Sequence, residues 1–179
     1  PDHASIGVGC CVVRQQALPS DCQSYGGHSA LQGPVQGSGH QFDRLTDLDA
    51  NLNAGNEIGG VALRALKECG FSGAIYPINP IAREILGLRV WPAITALPEA
   101  PELAVICTPA TAVPGLIAEL GALGTRAAVV ITAGLSPEQK QAMLEAARPH
   151  TLRILGPNCI GLLVPHLGLN ASFAPASAA

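Results

Sequence analysis

Positive charge is scarce in this sequence. Ten Lys and Arg stand against thirteen Asp and Glu in 179 residues, for a net charge of −3 at pH 7. A surface that neutralises nucleic-acid phosphates needs clustered Lys and Arg, and no basic run occurs, so nucleic acid is not an expected partner. An unbroken apolar run of bilayer length is missing too. The longest candidate, residues 103–124, is interrupted by Pro109, Pro114 and Glu119, so no membrane partner is expected and the protein should be soluble and cytoplasmic. No charged segment followed by an apolar stretch opens the chain, which places the six cysteines in a reducing compartment. Their spacing fits no metal framework. Cys10 and Cys11 are adjacent, whereas Cys69, Cys107 and Cys159 each stand alone, and buried small hydrophobes are the expected outcome. A Walker-type Gly-Lys-Ser/Thr and an acidic metal cluster are likewise missing, so no metal ligand is assigned.

What the chain does have is an alternation of apolar runs and amphipathic stretches. Ala104, Val105 and Ile106 read as a buried strand ending in Cys107, Thr108 and Pro109. Val113, Leu116, Ile117, Leu120 and Leu123 then follow at spacings of three and four, and Gly124 closes that helical pattern before a second apolar run at 127–131. Two continuously apolar strands joined by one amphipathic helix run parallel and are covered on both faces. The expected fold is therefore α/β, a doubly wound parallel sheet. Its strands fall near 73–78, 103–107, 127–131 and 152–155, with helices near 57–69, 111–123 and 136–148. Ser136, Pro137 and Gln139 supply an N-cap, a first-turn proline and a capping-box partner for the last helix. Asn56 is placed to cap the first, with Glu57 at the positive end of its dipole. Ligands of such sheets sit beyond the carboxyl ends of the strands, which puts Cys107, Thr108 and Pro109 beside Thr132, Ala133 and Gly134 on one rim.

Residues 1–52 are different. They are rich in Gly, Gln, Ser and His, and read as an irregular N-terminal segment, 1–53, ahead of a folded domain at 54–166 and a linker-like tail at 167–179.

Several phrases carry a resemblance. Gly-Phe-Ser-Gly at 70–73, Tyr-Pro-Ile-Asn-Pro at 76–80, Leu-Pro-Glu-Ala-Pro-Glu-Leu-Ala-Val-Ile at 97–106, Thr-Pro-Ala at 108–110, Ile-Thr-Ala-Gly at 131–134, Gly-Pro-Asn-Cys-Ile-Gly at 156–161 and Asn-Ala-Ser-Phe at 170–173 resemble the CoA-binding domain of NDP-forming acyl-CoA synthetases. That family includes ADP-forming acetate–CoA ligases and the succinyl-CoA synthetase α subunit, and the domain recurs in related protein acetyltransferases. The resemblance implies a Rossmann-like domain holding coenzyme A, as substrate, across the strand tips. The stretch containing Ala54, Gly55, Asn56, Gly59 and Gly60 would approach the CoA phosphates, as glycines at a helix N-terminus allow. Ile78, Asn79 and Pro80 would border the nucleotide, and Cys107, Thr108 and Pro109 would follow the pantetheine. Thr132, Ala133 and Gly134 would lie near the same arm, and Asn158 would orient an oxygen of the acyl group. Cys159 is read as a packed thiol, since no Lys, Arg or His near it in sequence would lower its pKa.

Two departures from the family shape the expectations. Where the family has a hydrophobic first strand, residues 45–52 carry Asp47 and Asp49, two charges on one face of a strand that should be buried. The slot between the strands at 73–78 and 103–107 must still be filled, because unpaired buried backbone is costly. The candidates are 6–13, with Ile6, Val8, Val12 and Val13, and 43–52; the first is preferred, on a tether whose closure cost grows only logarithmically. The second departure is that the phosphohistidine and ATP-grasp domains lie outside this sequence, and neither His150 nor His166 replaces the missing histidine. The chain alone is expected to bind CoA or acyl-CoA without turnover, with no catalytic residue of its own. ATP and ADP would be used only by the remaining synthetase domains or an ATP-grasp subunit. An NAD(P)-binding oxidoreductase module and a non-binding remnant are the alternatives. The first is disfavoured because no Gly-x-Gly-x-x-Gly follows a strand and no acidic residue ends the second strand.

Overall fold

The computed structural model describes residues 10–14 and 58–173. Its elements are β1 (Cys10–Arg14), α1 (Ile58–Glu68), β2 (Ala74–Ile78), β3 (Glu84–Ile85), β4 (Leu88–Arg89), β5 (Leu103–Ile106), α2 (Val113–Leu123), β6 (Ala127–Val130), α3 (Pro137–Ala147), β7 (Arg153–Leu155), β8 (Gly161–Val164) and β9 (Leu169–Ser172). Each helix and strand expected from the apolar pattern between 58 and 155 is found, with ends shifted by a residue or two. The ends have visible causes. Gly124, at φ 94°, donates to Gly121 O at 3.0 Å while Thr125 N reaches Leu120 O at 3.0 Å, a Schellman closure of α2. At the other end of the pattern, Ser136 Oγ accepts from Gln139 N and Gln139 Oε1 accepts from Ser136 N, the capping box of α3.

Five strands form one sheet in the order β2-β1-β5-β6-β7. The pairs β5–β6 and β6–β7 are parallel. β1 fills the slot between β2 and β5, and pairs antiparallel with both, Cys10 lying opposite Ile78 on one side and Ile106 on the other. The sheet is thus the expected α/β one with a single strand reversed. A short β-α connection forces neighbouring strands to run the same way, but residues 15–57 separate β1 from α1, and a tether of that length imposes no direction. Residues overlapping 6–13 therefore occupy the slot, whereas the alternative at 43–52 and the irregular stretch expected from Arg14 to Asn53 lie outside the described residues beyond Arg14.

Side chains alternate between two cores. Ala104 and Ile106 of β5 and Ala128 and Val130 of β6 pack against Val113, Ile117 and Leu120 of α2 and Met143 of α3. Val105 and Val129 face the other way, onto Ala62, Leu63 and Leu66 of α1 together with Leu169 and Ala171 of β9. The second layer corrects an expectation. Residues from 167 read as a linker, yet β8 and β9 form an antiparallel hairpin and all four residues of β9 are buried. Its polar side chains satisfy one another, which is why a polar sequence can stay inside: Asn170 Oδ1 accepts from Ser172 N at 3.2 Å and Ser172 Oγ at 2.6 Å, while Asn170 Nδ2 reaches Cys69 Sγ at 3.5 Å.

The two edges of the sheet differ. Trp91 N donates to Pro77 O at 2.8 Å and Asn79 N to Trp91 O at 2.9 Å, so the segment after β4 covers the outer side of β2. β7, at the opposite edge, is three residues long, with Arg153 and Leu155 exposed. No helix among the described residues is long and apolar enough to cross a membrane.

Candidate functional site

The parallel strands β5, β6 and β7 end on one rim, and β2 ends there too because it runs parallel to β5 through their shared partner β1. Beyond β5 the chain continues through Cys107, Thr108 and Pro109; beyond β6 through Thr132, Ala133 and Gly134; beyond β7 through Gly156, Pro157, Asn158 and Cys159. Hydrogen bonds lace the three loops together. Ile131 N donates to Ile106 O at 2.9 Å, Thr132 Oγ1 to Thr108 O at 2.8 Å and Asn158 N to Thr132 O at 3.0 Å. Asn158 holds φ at 59°, in the left-handed region that Asn tolerates better than most residues. Gly156, at φ 105°, has no such substitute. A Cβ there would collide with the Val130 carbonyl and stand 3.2 Å from Cys159 Sγ. The missing side chain lets the loop fold inward over β6, where the Cys159 thiol donates to Val130 O at 3.3 Å.

These loops and the first residue of α1 enclose a cleft of about 180 Å³. Cys107, Thr132 and Ala133 of the strand tips line it together with Asn158, which the family resemblance had named, and so do Ile58, Ile131, Cys159, Ile160 and Phe173. The N-terminus of α1 therefore opens on the cleft, with Gly59 and Gly60 buried behind Ile58. Burial, reinforced by the nearby Cys159 sulfur, pushes the Cys107 thiol up to about 12, so it is neutral at physiological pH. Thr108 Oγ1 is buried at the same strand tip without a hydrogen-bond partner among the described residues. A helix N-terminus and a concave apolar wall are features a phosphate-bearing ligand with an apolar arm can use.

The other expected residues are distributed as follows. Ile78, Asn79 and Pro80 stand on the same rim but outside the cleft, with one strand between β2 and β5. Asn79 Oδ1 accepts from Ile81 N at 2.8 Å and Ala82 N at 2.9 Å, so it shapes the turn after β2. Thr108, Pro109 and Gly134 flank the cleft in the lining loops, and Ala54, Gly55 and Asn56 lie outside the described residues. Ile58, Ile131, Ile160 and Phe173 were not anticipated, because an apolar residue at a strand or helix end looks in sequence like any core residue. Ile131, Ile160 and Phe173 do fall within the phrases that carry the resemblance, and Ile58 does not. Among the described residues no group of three or more His, Cys, Asp and Glu could hold a metal. His150 packs its ring against Gly121 of α2, away from the rim.

Residues 53–165 match the family described as CoA binding domain. The chain is 38% identical over 122 residues to the ADP-forming acetate–CoA ligase of Methanocaldococcus jannaschii, covering 66% of this chain and 17% of that protein. It is 40% identical over 115 residues to the ADP-forming acetate–CoA ligase II of Archaeoglobus fulgidus, covering 61% of this chain and again 17% of the relative. Among solved structures, the dinucleotide-forming acetyl-coenzyme A synthetase 1 of Ca. Korarchaeum cryptofilum, in complex with phosphate and ADP, superposes with a TM-score of 0.64 at 39% identity, over 66% of this chain and 26% of that one. The chain thus spans about a sixth of the length of these curated relatives. With its sheet, its laced strand tips and more than half its length matching one family, this chain belongs to the CoA-binding domain family.

Proposed function

We propose that this chain binds coenzyme A or acyl-CoA as one domain of an ADP-forming acyl-CoA synthetase. The observation that carries the reading is the cleft itself, where the N-terminus of α1 meets the loops after β5, β6 and β7. In this reading the first turn of α1, with Gly59 and Gly60, offers the positive end of a helix dipole to the CoA phosphates. Ala54, Gly55 and Asn56 would extend that approach. Ile78, Asn79 and Pro80 border the nucleotide, and the loop of Cys107, Thr108 and Pro109 follows the pantetheine. Thr132, Ala133 and Gly134 close the same arm, and Asn158 meets the thioester oxygen. The domain would run from 54 through β9, since that strand completes the core under α1. Chemistry that consumes ATP and releases ADP belongs, on this reading, to other synthetase domains or a partner subunit.

Calorimetry with CoA, acetyl-CoA and NAD tests this. CoA and acetyl-CoA are expected to bind and NAD not; NAD binding alone, or no binding at all, would overturn the reading. Gly59→Asp brings a carboxylate to the helix end that should face phosphate, and is expected to weaken CoA binding. Unchanged affinity in that variant would remove α1 from the site.

A further inference from the structure

Two free thiols, Cys107 and Cys159, share the cleft. They follow β5 and β7, on either side of β6, yet both line the same concavity and both pack against the core layer under α1. Strand pairing shows how they meet. Ile106, the residue before Cys107, lies opposite Val130 of β6, and the Cys159 thiol donates to the Val130 carbonyl at 3.3 Å. Neighbouring strands are about 4.8 Å apart, so a sulfur seated on Val130 stands about one strand spacing from the tip of β5. Gly156 makes that seat possible, since a Cβ there would lie 3.2 Å from Cys159 Sγ. The nearness is also felt electrostatically, because the Cys159 sulfur adds to the burial that keeps the Cys107 proton in place. Cys69 is engaged elsewhere, by Asn170 Nδ2 at 3.5 Å.

We propose that Cys107 and Cys159 are a modification site for peroxides: they close to a disulfide across the cleft, and the closed cleft excludes the arm of coenzyme A. The exclusion rests on the CoA reading above; the bond does not. Thiolates, not thiols, attack peroxide. Cys107 is pushed up to about 12, chiefly by burial, so the first attack falls to Cys159. Its sulfur bonds to one peroxide oxygen, the O–O bond breaks, and the leaving hydroxide takes up the thiol proton as water, which leaves a sulfenic acid. The Cys107 sulfur then bonds to the Cys159 sulfur, the S–O bond breaks, and the departing hydroxide carries off the Cys107 proton as a second water. Each sulfur gives up one electron and the peroxide takes both. Confinement in one cleft favours the second step, even for a thiol that ionises reluctantly. The bond ties the loop after β5 to the loop after β7, so two walls of the cleft can no longer part around a ligand.

Peptide mapping of the full chain after treatment with hydrogen peroxide tests the bond. Calorimetry with acetyl-CoA, which has no free thiol to reduce a disulfide, tests its effect on the reduced, the oxidised and the dithiothreitol-restored chain. A disulfide joining Cys107 and Cys159 is expected, with affinity at least about ten-fold weaker in the oxidised chain and recovered on reduction. In Cys159→Ser, peroxide is expected to leave whatever affinity the variant has unaltered, which separates the bond from a general oxidative loss of fold. Sulfinic acid at Cys159, a bond from either residue to another cysteine, or intact thiols would overturn the proposal. Equal affinities of the oxidised and reduced chains would overturn it too. Should the reduced chain fail to bind acetyl-CoA, the CoA reading falls and the exclusion with it, while the mapping still decides the bond.

Discussion

At the scale of single residues, two atoms set the shape and charge of the cleft. The missing Cβ of Gly156 allows the loop after β7 to approach the Val130 carbonyl. Gly156→Ala must both hold an unfavourable φ and push that loop outward, so a loss of about 2–4 kcal/mol in stability is expected. Denaturant unfolding measures it, and a loss well under 1 kcal/mol would mean the loop has room to spare. Cys107 makes the second prediction. Its pKa rises from 9.0 to about 12, chiefly through burial. The folded state holds the proton more tightly than the unfolded chain does, so this contribution to stability is complete below about pH 9. It is lost as pH rises toward 12. Replacing Cys107 with Ala should therefore flatten the alkaline fall in stability relative to the parent. Parallel curves for the two proteins over that range would show that the thiol is more solvated than its surroundings suggest.

At the scale of elements, legibility in the sequence followed the strength of local signals. α2 could be read from its periodicity and its Gly124 stop, α3 from its Ser136–Gln139 capping box with Pro137, and β5 and β6 because they are short, wholly apolar and flanked by turn residues. The direction of β1 was not legible, since a strand's composition says what it can be buried in but not which way it runs. β9 was hidden for another reason: Asn170 and Ser172 read as solvent-facing until their mutual hydrogen bonds are seen. The site was half visible. The apolar pattern located the strand tips that carry Cys107, Thr132 and Ala133, Asn158 came only from the family resemblance, and the apolar wall could not be told from core. β1 also yields a prediction. A central strand donates to neighbours on both sides, and Val12 sits opposite Tyr76 and Ala104. Val12→Pro removes a donor and is expected to cost at least about 1–3 kcal/mol. A melting temperature equal to the parent's would show that β1 adds nothing to the sheet in solution.

At the scale of the whole molecule, stability depends on a strand, β9, that lies beyond the family match, which ends at residue 165. A chain ending at Val164 lacks β9 and uncovers Leu63 and Leu66 of α1, which share a core cluster with Leu169 and Ala171. Burial of Leu169 alone is worth about 2 kcal/mol, so the shortened chain is expected to unfold at clearly lower denaturant concentration, with a smaller m-value because less surface is exposed. An unchanged midpoint would assign β9 to decoration. The unequal sheet edges bear on a different property, the behaviour of the protein when concentrated. Unpaired backbone at a sheet margin is a template on which another copy can stack. Here the segment around Trp91 closes one margin, while the other is only three residues long and carries the exposed cation Arg153. A second copy could add there only a stub of a strand, and would bring an identical positive charge against the first. Among the described residues, then, brevity and like charge at β7 and a covering segment at β2 both work against edge-to-edge stacking.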